Sequence, residues 1–356
     1  MLINGCKFGC SSIQLIEDTL PPESSSKTIY HLPLTTGLVR DYKEEVKNFI
    51  ARCIKVDGII VDCTGEGPER ERSHILIRML EDAGFSKKQI LYIDSGLDYF
   101  DHCNHAIAPN WIASYKDLAE LQSCNELSTR DTLFLALARI PKYQRTKLII
   151  KMIEHGLGPV SLMSCGSNAL EDGIGDNQLF DQLVPESIRH LFPIIIDDVR
   201  VDRYTASTSI DPRFKQSLIN IVLESNYENN VYDSGGPPSH CWDRLFYTEK
   251  TDKCFMMEQI PLFLAKRGYV DKIRKLGFDV FDDVIDHTYD TVVDYDLRIE
   301  VLADECNRLA NIGLTELLQI DRLKERLEKN KMLPSVVKQQ YLIEFRHTMT
   351  QWANNL

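Results

Sequence analysis

Two hydrophobic patterns alternate along most of the chain. Short unbroken apolar runs, bounded by turn residues, predict buried strands; longer stretches with apolar positions every three or four residues predict amphipathic helices. "VDGIIVDC" (56–63) reads as a buried strand. "TGEGPERERSHILIRMLEDAGF" follows as a turn and then a helix, with Ile75, Leu76, Ile77, Met79 and Leu80 on its apolar side and Gly84 closing it. "KQILYIDS" (88–95) is the next strand and completes a βαβ unit, and a further strand is expected around "HAIAPNWIAS".

The pattern restarts after a polar cluster, "LQSCNELSTRD" (121–131). "TLFLALARI" (132–140) predicts a strand, "PKYQR" a turn, "TKLIIKMIEHGL" a helix ending at Gly156, and "GPVSLMSCGS" another strand. "HLFPIIIDD" and "LINIVLES" (218–225) read as later strands, with a Gly-, Pro-, Asn- and Ser-rich loop at 226–244. Thr248 stands near the N-cap of a helix through "KTDKCFMMEQ", and "IPLFLA" follows as a strand whose early Pro261 removes no needed donor. From about 296 onward the chain is helical and charged, ending in a helix over "SVVKQQYLIEFRHTMTQWANNL". Strands alternating with helices predict an α/β fold with mostly parallel sheets. The expected organisation is a first Rossmann-like domain over 1–128, a second over 129–325 and a C-terminal helix over 326–356 that packs back on the first. Two such domains leave a cleft, and ligands of these folds collect at the carboxyl ends of the strands, where helix N-termini point.

Composition narrows the classes of function. The 356 residues are 43% hydrophobic and 26% charged, as in an ordinary globular protein. No apolar run approaches the ~18 residues of a membrane span, and the first residues lack a basic start with a sustained apolar stretch, so neither a span nor a signal peptide is expected. Ten cysteines without regular spacing fit reduced thiols in a cytoplasmic protein better than a disulfide framework or a zinc site. A net charge of −12 argues against a protein that coats nucleic acid, because such affinity comes largely from phosphate neutralisation. It leaves a local basic cleft open.

Three groups of residues carry candidate chemistry. Thr248, Glu249 and Lys250 open a helix, whose N-terminus attracts phosphate through free N–H groups and the dipole. Lys250 would add a point charge for a diphosphate, and Glu249 could accept from two vicinal ribose hydroxyls. Arg139, Lys142 and Arg145 lie between a strand and the first turn of the next helix, where a Rossmann-like domain holds a diphosphate; an exposed basic turn is the plain alternative. Asp62 and Glu66, at the end of a strand and between Gly65 and Gly67, are candidate general bases from the first domain, with a capping acid as the alternative. Phe255, Met256 and Leu262 read as core, the "DRLKERLEKNK" run as a solvated face, and "DYD" (294–296) as a turn into a helix rather than a metal site.

The order "IVLESN", a loop, "YTEK", then "IPLFL" resembles the nucleotide-binding half of fucosyltransferases of the GT-B fold. These carry a Glu-Asn-Ser-like element, a Tyr-(Val/Ile)-Thr-Glu-Lys element and a Val-Pro-Val strand. "LGFDVFDDVIDHTYD" (276–290) is similar to a stretch met in glycosyltransferases of bacteriophages and marine microbes. By position, the resemblance makes Glu249 the ribose-binding acid and Lys250 the diphosphate-side lysine. Glu224 and Ser225 match the Glu-Asn-Ser element with no Asn between them. What this implies is a GT-B glycosyltransferase that moves a sugar from a UDP- or GDP-sugar to a hydroxyl without a required metal or other cofactor. The acceptor would be a saccharide or a hydroxymethylated pyrimidine in phage DNA. The competing expectations are a non-catalytic nucleotide-binding or scaffold protein, and an NAD-type oxidoreductase for which the Gly-rich fingerprint is missing.

Overall fold

The computed structural model describes residues 2–4, 27–33, 55–63, 70–94, 103–108, 127–138, 142–166, 183–194, 213–224 and 247–356, with a few isolated positions besides. The chain is α/β and forms two compact units: Met1–Ile112 with His240–Tyr247 and Val336–Leu356, and Ala113–Ser239 with Thr248–Ser335. The C-terminal segment Val336–Leu356 groups with the first unit.

The first unit holds five parallel strands in sequential order: β1 (Leu2–Asn4), β2 (Ile29–Pro33), β3 (Gly58–Asp62), β4 (Ile90–Asp94) and β5 (Asn104–Ile107). Sequential parallel order has a consequence. Right-handed crossovers that always step the same way fall on one face of the sheet. That face carries Tyr30, Leu32, Ile59, Val61, Ile90 and Tyr92, packed on Leu76, Ile77 and Leu80 of helix α1 (Arg70–Asp82). The opposite face carries Ile29, Ile60, Leu91 and Ile93, and needs a cover from elsewhere in the chain. Phe345, Met349, Trp352 and Ala353 of the last helix supply it.

The second sheet has four parallel strands in the order β7 (Ser161–Cys165), β6 (Thr132–Ala138), β8 (Ser217–Leu223), β9 (Ile260–Leu264). Helix α2 (Tyr143–Glu154) links β6 to β7, and α3 (Glu249–Met256) precedes β9. Helices α4 (Tyr269–Lys275), α5 (Tyr295–Ile312) and α6 (Leu323–Asn355) follow. At the amino end of the sheet, buried Arg130 donates to the carbonyls of Ser217 (2.6 Å) and Glu258 (2.6 Å), tying β8 to the exit of α3.

Two expectations change. "HLFPIIIDD" (190–198) forms no strand over its described part: it follows the short helix Glu186–Arg189, and Ile194 makes a single antiparallel bridge to Cys165. An X-Pro pair at 192–193 within that run works against regular pairing. The charged run and the C-terminal helix are one 33-residue helix that continues through Pro334. No helix among the described residues is long and apolar enough to cross a membrane.

The C-terminal cover requires a bare backbone at Gly58. A Cβ there would lie 2.7 Å from the Trp352 ring and 2.6 Å from Leu356. Gly58→Ala is therefore expected to lower the unfolding free energy of the first unit by about 1–3 kcal/mol, as overpacking of a filled core does. Urea unfolding followed by Trp fluorescence measures this; unchanged stability would contradict the packing of α6 on β3.

Candidate functional site

In the second sheet, β7 lies on one side of β6 while β8 and β9 lie on the other, so the strand order reverses between β6 and β8. The carboxyl ends of those two strands are where parallel α/β sheets bind ligands. Glu224, the residue after β8, is 1% exposed, and its carboxylate organises this edge. Thr248 Oγ1 donates to Oε2 at 2.7 Å and Thr251 Oγ1 to Oε1 at 2.6 Å. The Tyr269 hydroxyl lies 3.2 Å from Oε1 and 2.8 Å from the Thr251 hydroxyl. Burial, reinforced by the Glu224 charge, holds the Tyr269 phenol protonated well above its ordinary range, so it remains a donor. One carboxylate thereby fixes the starts of α3 and α4 to the end of β8.

A helix N-terminus carries unpaired N–H groups and a partial positive charge that a nearby anion stabilises. At the start of α3, Thr248 caps Lys250 N (3.3 Å), and Glu224 accepts from Thr248 N (3.4 Å). At the start of α4, Asp290 accepts from Val270 N at 3.1 Å. Helix α2 differs. Its N-cap is Lys142, with no side-chain cap hydrogen bond and no acidic residue in the first turn. Asp296 reaches this helix from α5, but bonds the Tyr143 hydroxyl and Lys147 Nζ, each at 2.7 Å. The start of α2 carries Lys142 and also Arg145, which is buried and donates to the Glu224 carbonyl at 3.2 Å. Lys250 Nζ lies 3.4 Å from Thr248 Oγ1 at the start of α3.

No family model, no curated protein and no solved structure matches this chain.

The predicted site residues distribute as follows. Thr248, Lys250, Glu224 and Arg145 meet around the end of β8 through the contacts above, and Lys142 heads α2. Thr248 and the Glu224 carboxylate are engaged with each other. Glu249 is the first residue of α3, but its side chain lies outside the described residues, as do Arg139, Ser225 and Glu66. Asp62 ends β3 in the first unit, 2% exposed, with Oδ2 2.8 Å from His31 Nε2. A second buried pair, His105 and Asp94 at 3.2 Å, lies across β5 and β4. Among the described residues no group of His, Cys, Asp and Glu is placed to hold a metal. Asp294 of "DYD" instead caps α5 through Leu297 N (2.8 Å). Burial raises the Cys103 and Cys165 thiols to about 12 and about 11, which leaves them poor nucleophiles.

Sequence reasoning missed Thr251, Tyr269 and the use of Asp290. The Thr-x-x-Thr spacing of 248 and 251 places both hydroxyls on one side of a helix start, a signal that was available. Asp290 also has a measurable signature. Burial raises its carboxyl to about 6, against the backbone N–H groups of Val270, Asp271 and Tyr269 and the Arg298 charge. The folded protein then holds this proton more tightly than the unfolded chain, so the stabilisation is complete below about pH 4 and fades as pH rises through about 6. Relative to Asp290→Asn, which does not titrate there, wild-type stability is expected to fall by on the order of 3 kcal/mol between pH 4 and 7. Parallel denaturation curves of the two proteins across that range measure it; a difference independent of pH would contradict the assignment.

Proposed function

We propose that the protein is a glycosyltransferase of the GT-B type, with the nucleotide-sugar donor held by the second unit and the acceptor by the first. The observation that carries this reading is the first turn of α2 at the β6/β8 reversal, which holds no acidic residue of its own and carries Lys142 and Arg145, with Lys250 in the first turn of α3. The diphosphate lies against the α2 N-terminus, where N–H groups and the guanidinium take its charge. Lys250 adds a charge on the α3 side, and the ribose falls to Glu249 at the head of the same helix. In sugar transfer the leaving nucleoside diphosphate gains negative charge as the glycosidic bond breaks. Cations and a helix dipole placed in advance stabilise it more in the transition state than in the ground state.

The acceptor hydroxyl needs a base, and the first unit offers Asp62 and Glu66. Asp62 is held by His31, so the pair would act as one unit in which the carboxylate orients the ring. A saccharide acceptor agrees better with the −12 charge than duplex DNA does, since DNA would require a basic stripe and a flipped base.

The test is a panel of UDP-, GDP-, CDP- and ADP-sugars offered with and without saccharide or hydroxymethylated DNA acceptors, with release of the nucleoside diphosphate as readout. One donor class is expected to turn over, and Lys250→Ala to lower turnover about 10–100-fold, the weight of one charge-assisted hydrogen bond. Tight nucleotide binding without transfer or hydrolysis would favour a non-catalytic nucleotide-binding protein. Binding of no nucleotide at all would overturn the proposal.

A further inference from the structure

The strongest unexplained feature of the second unit is Gln144. It is the second residue of α2, 0% exposed, and neither Oε1 nor Nε2 has a hydrogen-bond partner among the described residues. Its spacing places it on the apolar stripe with Leu148 and Met152, both 0% exposed, where a hydrophobic residue would be expected. A buried amide with both ends unpaired destabilises a fold, and native proteins keep such groups rarely. Side chains on a helix lean toward its N-terminus, and Gln144 stands in the first turn of α2, which holds no acidic residue. Three rotatable bonds allow it to swing further that way.

We infer that Gln144 is a ligand-binding residue of this site, whose two missing hydrogen bonds are made by the bound molecule. The inference rests on the nucleotide-sugar reading for the class of ligand. A carboxamide presents a donor and an acceptor side by side, so it pairs fully only with a ligand that offers both. A nucleoside diphosphate does: phosphate oxygens accept from Nε2, and a ribose or sugar hydroxyl donates to Oε1. Arg145, the next residue, supplies charge; Gln144 supplies direction. The residue would thus be kept for recognition at the expense of stability, and its replacement should separate the two.

Gln144→Met and Gln144→Leu test this in the full chain. Thermal midpoints are taken without ligand, and affinities for UDP, GDP and inorganic pyrophosphate by calorimetry. The expected result is that the apolar variants melt at or above the wild-type temperature, while the preferred nucleoside diphosphate binds at least tenfold more weakly. If wild type binds a nucleotide and the variants bind it equally well, the role of Gln144 falls and the nucleotide reading stands. Failure of both apolar variants to fold, or a clear drop in their midpoints, makes the amide structural and overturns the inference. If wild type binds none of the three probes, the nucleotide reading and the inference fall together.

Discussion

A parallel sheet aims the N-termini of its helices at one edge, and their partial positive charges have to be met there. In the second unit two are met from within. Glu224 serves the start of α3, and Asp290 serves the start of α4. At the start of α2 the N-cap residue Lys142 makes no capping side-chain bond and the first turn holds no acid, while Lys142 and Arg145 stand there. The rest of the functional account depends on this asymmetry. If all three helix starts were neutralised by the chain itself, the edge would be a finished structural surface with nothing left to attract an anion.

The same asymmetry gives different work to residues that look alike in sequence. Glu224 and Glu249 are both acids near a predicted ribose. The Glu224 carboxylate, 1% exposed, receives two threonine hydroxyls and a tyrosine; it holds β8, α3 and α4 in register and so fixes where Lys250 stands. Arg145 reaches the main-chain carbonyl of Glu224. That contact fixes the position of the side chain at the end of β8.

Much of the frame was legible because it depends on local periodicity. The runs at 58–62, 90–94, 132–138, 217–223 and 260–264 are mostly apolar on both faces, with polar residues chiefly at their ends and Asn220 the interior exception, as fits strands covered on both sides. The Thr248 cap was legible for the same local reason. What could not be read is which distant side chain meets which helix end. Glu224 and Thr248 are 24 residues apart, Asp290 and Val270 are 20 apart, and sequential strand order in one sheet against a reversal in the other follows from crossovers that periodicity does not encode. Pro334 misled because a proline usually ends a helix, yet here the helix continues on both sides of it. Gln144 was overlooked because it sits among charged residues in "PKYQR", which reads as a turn, whereas the helix starts at Tyr143. Its spacing with Leu148 and Met152 is the clue that it belongs to the helix.

The most direct test of the central claim is a titration of isotope-labelled protein with inorganic pyrophosphate, following backbone amide resonances at the three helix starts. The account predicts that the amides of Gln144 and Arg145 move most and saturate together, while those of Thr251 and Val270 stay nearly still. Larger movements at Thr251 or Val270 than at the head of α2, or no saturable movement at any of the three, would contradict it.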